Sequence, residues 1–148
     1  MKRFLITGAT GFVGHRLLKL IKFYKFEVRT LSRKPHPNYE TVICNLQSEV
    51  IPEDALTGID TVFHLAGFAH DLGDANKVEK LYRAVNVDAT VQLAELAVQQ
   101  GVQHFVFVSS VKAGGSAITG QCMVEEDSGE PVGIYGKTKR EAELKLLK

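Results

Sequence analysis

The chain has 148 residues, 45% of them hydrophobic, with 18 Lys and Arg against 17 Asp and Glu. That is the profile of one soluble domain with an ordinary core, and a net charge of +1 without a long like-charge block offers no field to draw in a nucleic-acid backbone. Cys44 and Cys122 have neither C-x-x-C nor metal-ligand spacing and read as free thiols of a reducing compartment. With no signal segment ahead of the first strand and no apolar run of membrane-spanning length, a cytoplasmic protein without metal or membrane partner is expected.

Arg3 to Thr7 reads as a strand and runs straight into Gly8-Ala9-Thr10-Gly11-Phe12-Val13-Gly14. The helix that follows, to about Tyr24, sets Val13, Leu17, Leu20 and Ile21 on one face. Strand, glycine turn and helix start together present backbone N–H groups and a positive helix end, which is what a diphosphate requires. The spacing is G-x-x-G-x-x-G, and such turns also serve as plain connections. The position after the first strand favours a nucleotide site at this turn.

Glu27 to Leu31, Glu40 to Cys44, Thr61 to Leu65 and Phe105 to Val108 read as further strands. Their continuous Val, Leu and Phe runs suit burial on both faces, so the expected fold is α/β, a doubly wound parallel sheet of about five strands. Between the fourth and fifth strands, Asp74 to Gln100 carries Val78, Leu81, Val85, Ala89, Leu93 and Leu96 at helical spacing and stops before Gly101. His64, on an apolar strand, reads as a packed core imidazole rather than a ligand. His70 and Asp71 follow the fourth strand at the sheet edge where ligands bind, although loop solvation accounts for them as well. The Gly-, Ser- and acid-rich segment Lys112 to Gly133 borders the site, and its Glu125-Glu126-Asp127 run reads as solvated.

Ser109 and Ser110 end the fifth strand, and Tyr135-Gly136-Lys137-Thr138-Lys139 opens a helical run to the C-terminus. Tyr135 and Lys139 are four apart, so a helix sets an ammonium one turn from a phenol. A nearby ammonium favours phenolate, and Tyr135 then exchanges a proton with a substrate hydroxyl or carbonyl, the same oxygen that Ser110 can hydrogen-bond. Y-x-x-x-K alone is a cheap match. Its order behind the glycine turn and the strand-end serines is what adds weight.

That order, with the stretch Gly58 to Gly67 (GIDTVFHLAG), Asn86-Val87-Asp88-Ala89-Thr90, Phe105 to Ser110 and Pro131 to Glu143 (PVGIYGKTKREAE), resembles the extended short-chain dehydrogenase/reductases, the NAD(P)-dependent nucleotide-sugar epimerase/dehydratase family. The similarity covers their N-terminal Rossmann part. It implies that Gly8, Thr10, Gly11, Phe12 and Val13 form the diphosphate turn, that Leu65-Ala66-Gly67 walls the nicotinamide ribose, and that Asn45-Leu46 lines the adenine pocket. Many relatives carry Asp where Asn45 stands, and Asn45 also reads as a turn residue. The catalytic set implied is Ser110, Tyr135 and Lys139, the last two also touching cofactor, with Ser109 as a substrate contact and Asn86 ordering the helix beside the site.

At the end of the second strand, Thr30-Leu31-Ser32-Arg33-Lys34 lacks the acid that suits NAD. Arg33, with a hydrogen bond from Ser32, fits a 2′-phosphate, which places NADP slightly above NAD; stacking on adenine or simple solvation are the other roles open to Arg33. The family implies a nucleotide-sugar substrate such as a UDP-sugar and a possible homodimer. Val111-Lys112 lacks the acidic pair common in dehydratases, so an epimerase or reductase is favoured. Relatives run to about twice this length, so an N-terminal fragment lacking a sixth strand and a substrate domain is expected. A non-catalytic NAD(P) module and a reductase of non-sugar carbonyls are the alternatives.

Overall fold

The computed structural model describes residues 2–69, 75–116, 120, 122–124, 127 and 129–148. His70, Asp71, Asp74, Glu125 and Glu126 lie outside the described residues. Five parallel strands, β1 (Arg3–Thr7), β2 (Glu27–Ser32), β3 (Glu40–Ile43), β4 (Thr61–His64) and β5 (His104–Phe107), form one sheet in the order β3-β2-β1-β4-β5. This is the doubly wound Rossmann-like arrangement. The register sets Thr7 opposite both Leu31 and His64, so the strands end together along one sheet edge.

Alternation along the strands divides the core in two. Leu5, Leu31 and Val62 meet Leu56, Leu93 and Leu96 on one face, while Phe4, Ile6 and Val28 meet Leu18 and Ile21 on the other. The second layer comes from α1 (Phe12–Phe23), the first from a long crossover and from α4 (Gly133–Leu146).

Two sequence expectations change here. Val13 and Leu20 are 52% and 55% exposed, and the face of α1 that packs inward is Gly14, Leu18 and Ile21. Gly14 sets that phase: a Cβ there would stand 2.3 Å from the Gly8 carbonyl oxygen, so the bare Cα alone can face the turn, and positions four and seven further on follow it inward. The continuous helix expected up to Gln100 is described from Ala75 and is interrupted: α2 (Ala75–Arg83) enters a π turn, Ala84–Asp88, before α3 (Ala89–Gln99). Burial of Val78, Val85, Ala89, Leu93 and Leu96 follows the expected spacing, with Tyr82 added to it. Gly101 closes α3 at φ +70°, a conformation glycine adopts freely.

Burial on both faces holds for the inner strands and fails at both edges, in β3, where Ile43 is exposed, and in β5. Val106 and Val108 remain 39% and 40% exposed. Val106 pairs with Phe63 on the α1 side of the sheet, and no helix covers that end of it among the described residues. Strand ends differ from expectation by a residue, and α4 begins two residues before Tyr135. Both cysteines are free; Cys44 is buried, its thiol pushed up by desolvation and then by Glu49, and Cys122 is exposed.

Candidate functional site

The edge where the strands end carries a groove of about 360 Å³. Gly8, Thr10, Gly11, Arg33, Asn45, Leu46, Leu65, Ala66 and Gly67 all line it, residues drawn from the ends of four strands. Leu31, Gln47, Phe68 and Val85 join them without having been singled out in the sequence. Val85 was legible only as one of a helical apolar series, and Leu31 only as a strand residue. For Leu31, Gln47 and Phe68 a position at or just past a strand end was the available signal; Val85, inside the expected helix, carried none.

At the turn the glycines are sterically required. Gly8 has φ +67°, and a Cβ on it would lie 2.7 Å from the Ala66 nitrogen and 2.8 Å from the Leu65 carbonyl carbon. The Gly11 N–H donates to the Gly8 carbonyl at 3.0 Å, and α1 starts beyond it with no capping side chain and no acidic residue in its first turn. The first amides of a twelve-residue helix are therefore left facing the groove end without a side-chain acceptor, an arrangement that fits an anion. Phe12 and Val13 are exposed and outside the groove lining; the Phe12 ring lies 3.5 Å beneath the Arg16 guanidinium. What these two positions can offer a ligand is main-chain N–H.

Other lining groups are partly committed. Ser32 Oγ donates to the Lys34 carbonyl at 2.6 Å, which spends the proton a phosphate would need, whereas Arg33 is exposed on the rim. Asn45 Oδ1 accepts from the Gln47 N–H at 3.2 Å, a turn-forming bond that still leaves a lone pair and the amide donors. Asn45 is thus a turn residue and a groove residue at once. Asp127 Oδ2 accepts from the Val124 N–H at 2.9 Å, a loop-local bond in keeping with a solvated role.

Ser110, Tyr135 and Lys139 lie outside the groove lining. Ser110 caps a short 3₁₀ turn, Val111–Ala113, its Oγ accepting from the Lys112 N–H at 3.3 Å. Gly136 brings α4 onto that turn: a Cβ there would stand 2.3 Å from the Lys112 carbonyl oxygen, which also accepts from the Val132 N–H at 2.9 Å. A glycine inside a helix costs roughly 0.5–1 kcal/mol, and that unexplained cost was the sequence signal for a close approach. Ser109 Oγ donates to Glu143 Oε1 of α4.

Lys139 is 2% exposed. Its ammonium donates to the Val108 carbonyl at 2.7 Å and stands 3.8 Å over the Phe107 ring. Burial lowers it from 10.5 to about 8, against the opposing pull of Glu143. Tyr135 sits one turn earlier, half-buried, with its ring 6.3 Å from that of Tyr82. No hydrogen bond joins the Tyr135 and Lys139 side chains among the described residues.

Asn86 connects the two parts. It is 1% exposed in the π turn; its Oδ1 accepts from the Phe68 N–H at 2.7 Å, and its Nδ2 donates to the Phe68 carbonyl at 3.0 Å and to Thr138 Oγ1 at 3.1 Å. Thr138 Oγ1 in turn reaches the Ile134 and Tyr135 carbonyls at 2.9 and 3.0 Å. One side chain therefore pins the groove wall and the helix of Tyr135 and Lys139 to each other. A π turn is the kind of local irregularity that places such a residue.

A family profile described as the NAD dependent epimerase/dehydratase family matches residues 4–147. The chain belongs to this family. A UDP-glucose 4-epimerase of Vibrio cholerae is 34% identical over 99% of the chain and 46% of that protein. A 3-beta-hydroxysteroid dehydrogenase of Mycolicibacterium neoaurum is also 34% identical, over 98% of the chain and 42% of its own length. Among solved structures, MoeE5 in complex with UDP-glucose and NAD has a TM-score of 0.84 at 34% identity, covering 98% of this chain and 48% of that one. The chain spans about half the length of the epimerase/dehydratase relatives it matches, and those relatives are enzymes. No helix among the described residues is long and apolar enough to cross a membrane.

Proposed function

We propose that this chain is the dinucleotide-binding part of an NAD(P)-dependent enzyme of epimerase or reductase type, acting on a nucleotide-linked sugar such as a UDP-sugar. The groove carries the proposal: a positive-φ glycine cradle that a Cβ would fill opens onto uncapped helix amides, and the wall beyond it is tied to a Tyr-x-x-x-Lys helix. The sugar is supported by the similarity to a UDP-glucose 4-epimerase and to a structure holding UDP-glucose and NAD. NADP is placed above NAD on Arg33, which stands at the groove rim with no acid in the Thr30–Lys34 stretch.

When bound, the nicotinamide supplies a reversible hydride acceptor. Gly8, Gly11 and the α1 amides would hold the diphosphate, Asn45 and Leu46 would border the adenine, and Leu65 to Gly67 would wall the nicotinamide ribose. Tyr135 takes the proton from the substrate hydroxyl and later returns it, with Ser110 hydrogen-bonding the same oxygen. Lys139, charged below about pH 8, stands one turn along α4 from Tyr135 and would reach the ribose only by leaving the Val108 carbonyl. Ser109, bonded to Glu143, keeps the strand end against α4 and is a substrate contact only if that bond opens.

Turnover is the test. The chain incubated with NAD(P) and UDP-glucose is expected to form the C4 epimer or an oxidised sugar, and Tyr135→Phe to abolish this while sparing dinucleotide binding. Binding of dinucleotide without any turnover would assign this chain a cofactor-holding role by itself; turnover retained in Tyr135→Phe would refute the acid-base role. The 34% identity to a 3-beta-hydroxysteroid dehydrogenase makes a hydroxysteroid the comparison substrate.

A further inference from the structure

His64 is a wholly buried imidazole that the catalytic assignment leaves without a part, and it touches both halves of the site. At 0% exposure, its Nδ1 lies 2.7 Å from Thr7 Oγ1 and its Nε2 lies 2.9 Å from Thr90 Oγ1. Thr7 Oγ1 accepts the Ala66 N–H at 3.0 Å, on the groove wall. Thr90 Oγ1 donates to the Asn86 carbonyl at 3.0 Å, one residue of the π turn. The imidazole also stacks on Phe107, at 5.8 Å and 21°, and the same ring carries the Lys139 ammonium.

The protons in this chain have one complete assignment. Thr90 spends its hydroxyl proton on Asn86, so it can only accept from the ring, which puts the ring proton on Nε2. Nδ1 is then an acceptor, and it takes the Thr7 hydroxyl proton, while Thr7 accepts from Ala66. The opposite tautomer would leave Thr7 accepting from both Ala66 and Nδ1, its own proton without an acceptor among the described residues, and would ask the single Thr90 hydroxyl proton to serve both Nε2 and the Asn86 carbonyl. A buried, unplaced hydroxyl proton costs on the order of a lost hydrogen bond, whereas the Nε2–H form has every donor placed. Burial, with a smaller push from Lys139, lowers the imidazole to about 3, consistent with a neutral ring at ordinary pH.

We propose that His64 is a positioning residue, a one-tautomer bridge whose Nδ1 arm sets the groove wall at Ala66 through Thr7 and whose Nε2 arm sets Asn86, and so the Tyr135–Lys139 helix, through Thr90. Such a bridge explains why a strand otherwise composed of apolar contacts ends in a buried polar ring. Stability alone would be served by an aliphatic residue with nothing to satisfy. The two arms also predict a separation that packing cannot produce. An Asn at this position can place its Oδ1 where Nδ1 stands and keep the Thr7 arm; a Gln can place its Nε2 donor where the ring Nε2 stands and keep the Thr90 arm.

The experiment is nitrogen-15 NMR of the full chain, unsubstituted and as His64→Asn and His64→Gln, with NAD⁺ and NADP⁺ dissociation constants for each. The consequence for affinity rests on the groove being the dinucleotide site; the bridge itself does not. The unsubstituted ring is expected to show a protonated Nε2 and an unprotonated Nδ1 from pH 5 to pH 9. His64→Gln is expected to shift the Ala66 amide and weaken dinucleotide binding about tenfold, with the Phe68 amide held. His64→Asn is expected to recover most of that affinity and to shift the Phe68 amide instead. Ring nitrogens that average between tautomers, or both amides displaced alike in both variants, would overturn the bridge. If neither variant folds, the ring spectrum of the unsubstituted chain decides. Absence of binding by the unsubstituted chain counts against the proposed function, and the crossed amide pattern then judges His64 independently.

Discussion

Arg33 stands exposed on the groove rim, one residue past the end of β2, where its guanidinium is free to meet a phosphate and where an acid would instead meet a ribose hydroxyl. Arg33→Asp is therefore expected to weaken NADP⁺ about tenfold or more and to leave NAD⁺ unchanged or slightly stronger, as read by calorimetric titration; an equal loss for both would remove the 2′-phosphate contact. Lys139 makes a prediction of a different kind, because its ammonium is buried and lowered from 10.5 to about 8. Between about pH 8 and pH 10.5 the unfolded chain holds this proton and the folded chain does not, so the residue's contribution to stability rises with pH across that window; below about pH 8 the folded state bears the full cost of the buried charge. Lys139→Met should thus raise stability relative to the parent more at pH 7 than at pH 10.5, as measured by chemical unfolding at the two values. An equal change at both would mean that the charge is not what the site strains to hold. Both residues were legible in the sequence, Arg33 from a missing acid and Lys139 from its spacing to Tyr135. Its actual bond to Val108 was not, since nothing in a helical spacing says which carbonyl a long side chain will reach.

The π turn at Ala84–Asp88 decides how the crossover meets α4. A straight helix was the natural expectation from the apolar spacing of Val78 to Leu96, and the hydrophobic pattern persists through the irregularity because the turn adds its extra residue without reversing the buried face. What the spacing could not show is that Asn86 turns inward to hold Phe68 and Thr138. Asn86→Ala leaves the part-buried Phe68 N–H and carbonyl without their partners, at about 1–3 kcal/mol for each group left unpaired, so a loss of about 2–6 kcal/mol is expected in chemical unfolding, together with loss of turnover. A loss below about 1 kcal/mol would mean that water replaces the side chain and that the clamp does not order the site. The phase of α1 teaches the same lesson. Val13 and Leu20 belong to an apolar stripe by period, yet the contact between Gly14 and the Gly8 carbonyl turns the helix so that Leu18 and Ile21 face the sheet. Steric contact at one glycine outranks a periodic pattern, and contact of that sort is visible only once the turn is folded.

For the molecule as a whole, the doubly wound parallel sheet was readable because strands alternate with helices, and the glycine turn after β1 marked which edge would carry the groove, whereas the order β3-β2-β1-β4-β5 emerges only in the fold. Leu65, Ala66 and Gly67 were identified through family resemblance rather than from local chemistry; nothing in an apolar triplet announces that it will wall a cavity. Phe68 and Gln47 escaped notice for the same reason. The central claim is that the groove above β1 to β4 binds a pyridine dinucleotide through the Gly8 turn. The most direct measurement is a calorimetric titration of the chain and of Gly8→Val with NADP⁺ and NAD⁺, with circular dichroism to confirm that both are folded. The side chain would force a left-handed backbone, costing roughly 1–2 kcal/mol, and drive its Cβ into the Leu65–Ala66 backbone. Saturable one-site binding by the parent, weakened at least tenfold in folded Gly8→Val, is the predicted result. No saturable binding by the parent, or equal affinity in the two proteins, would contradict it.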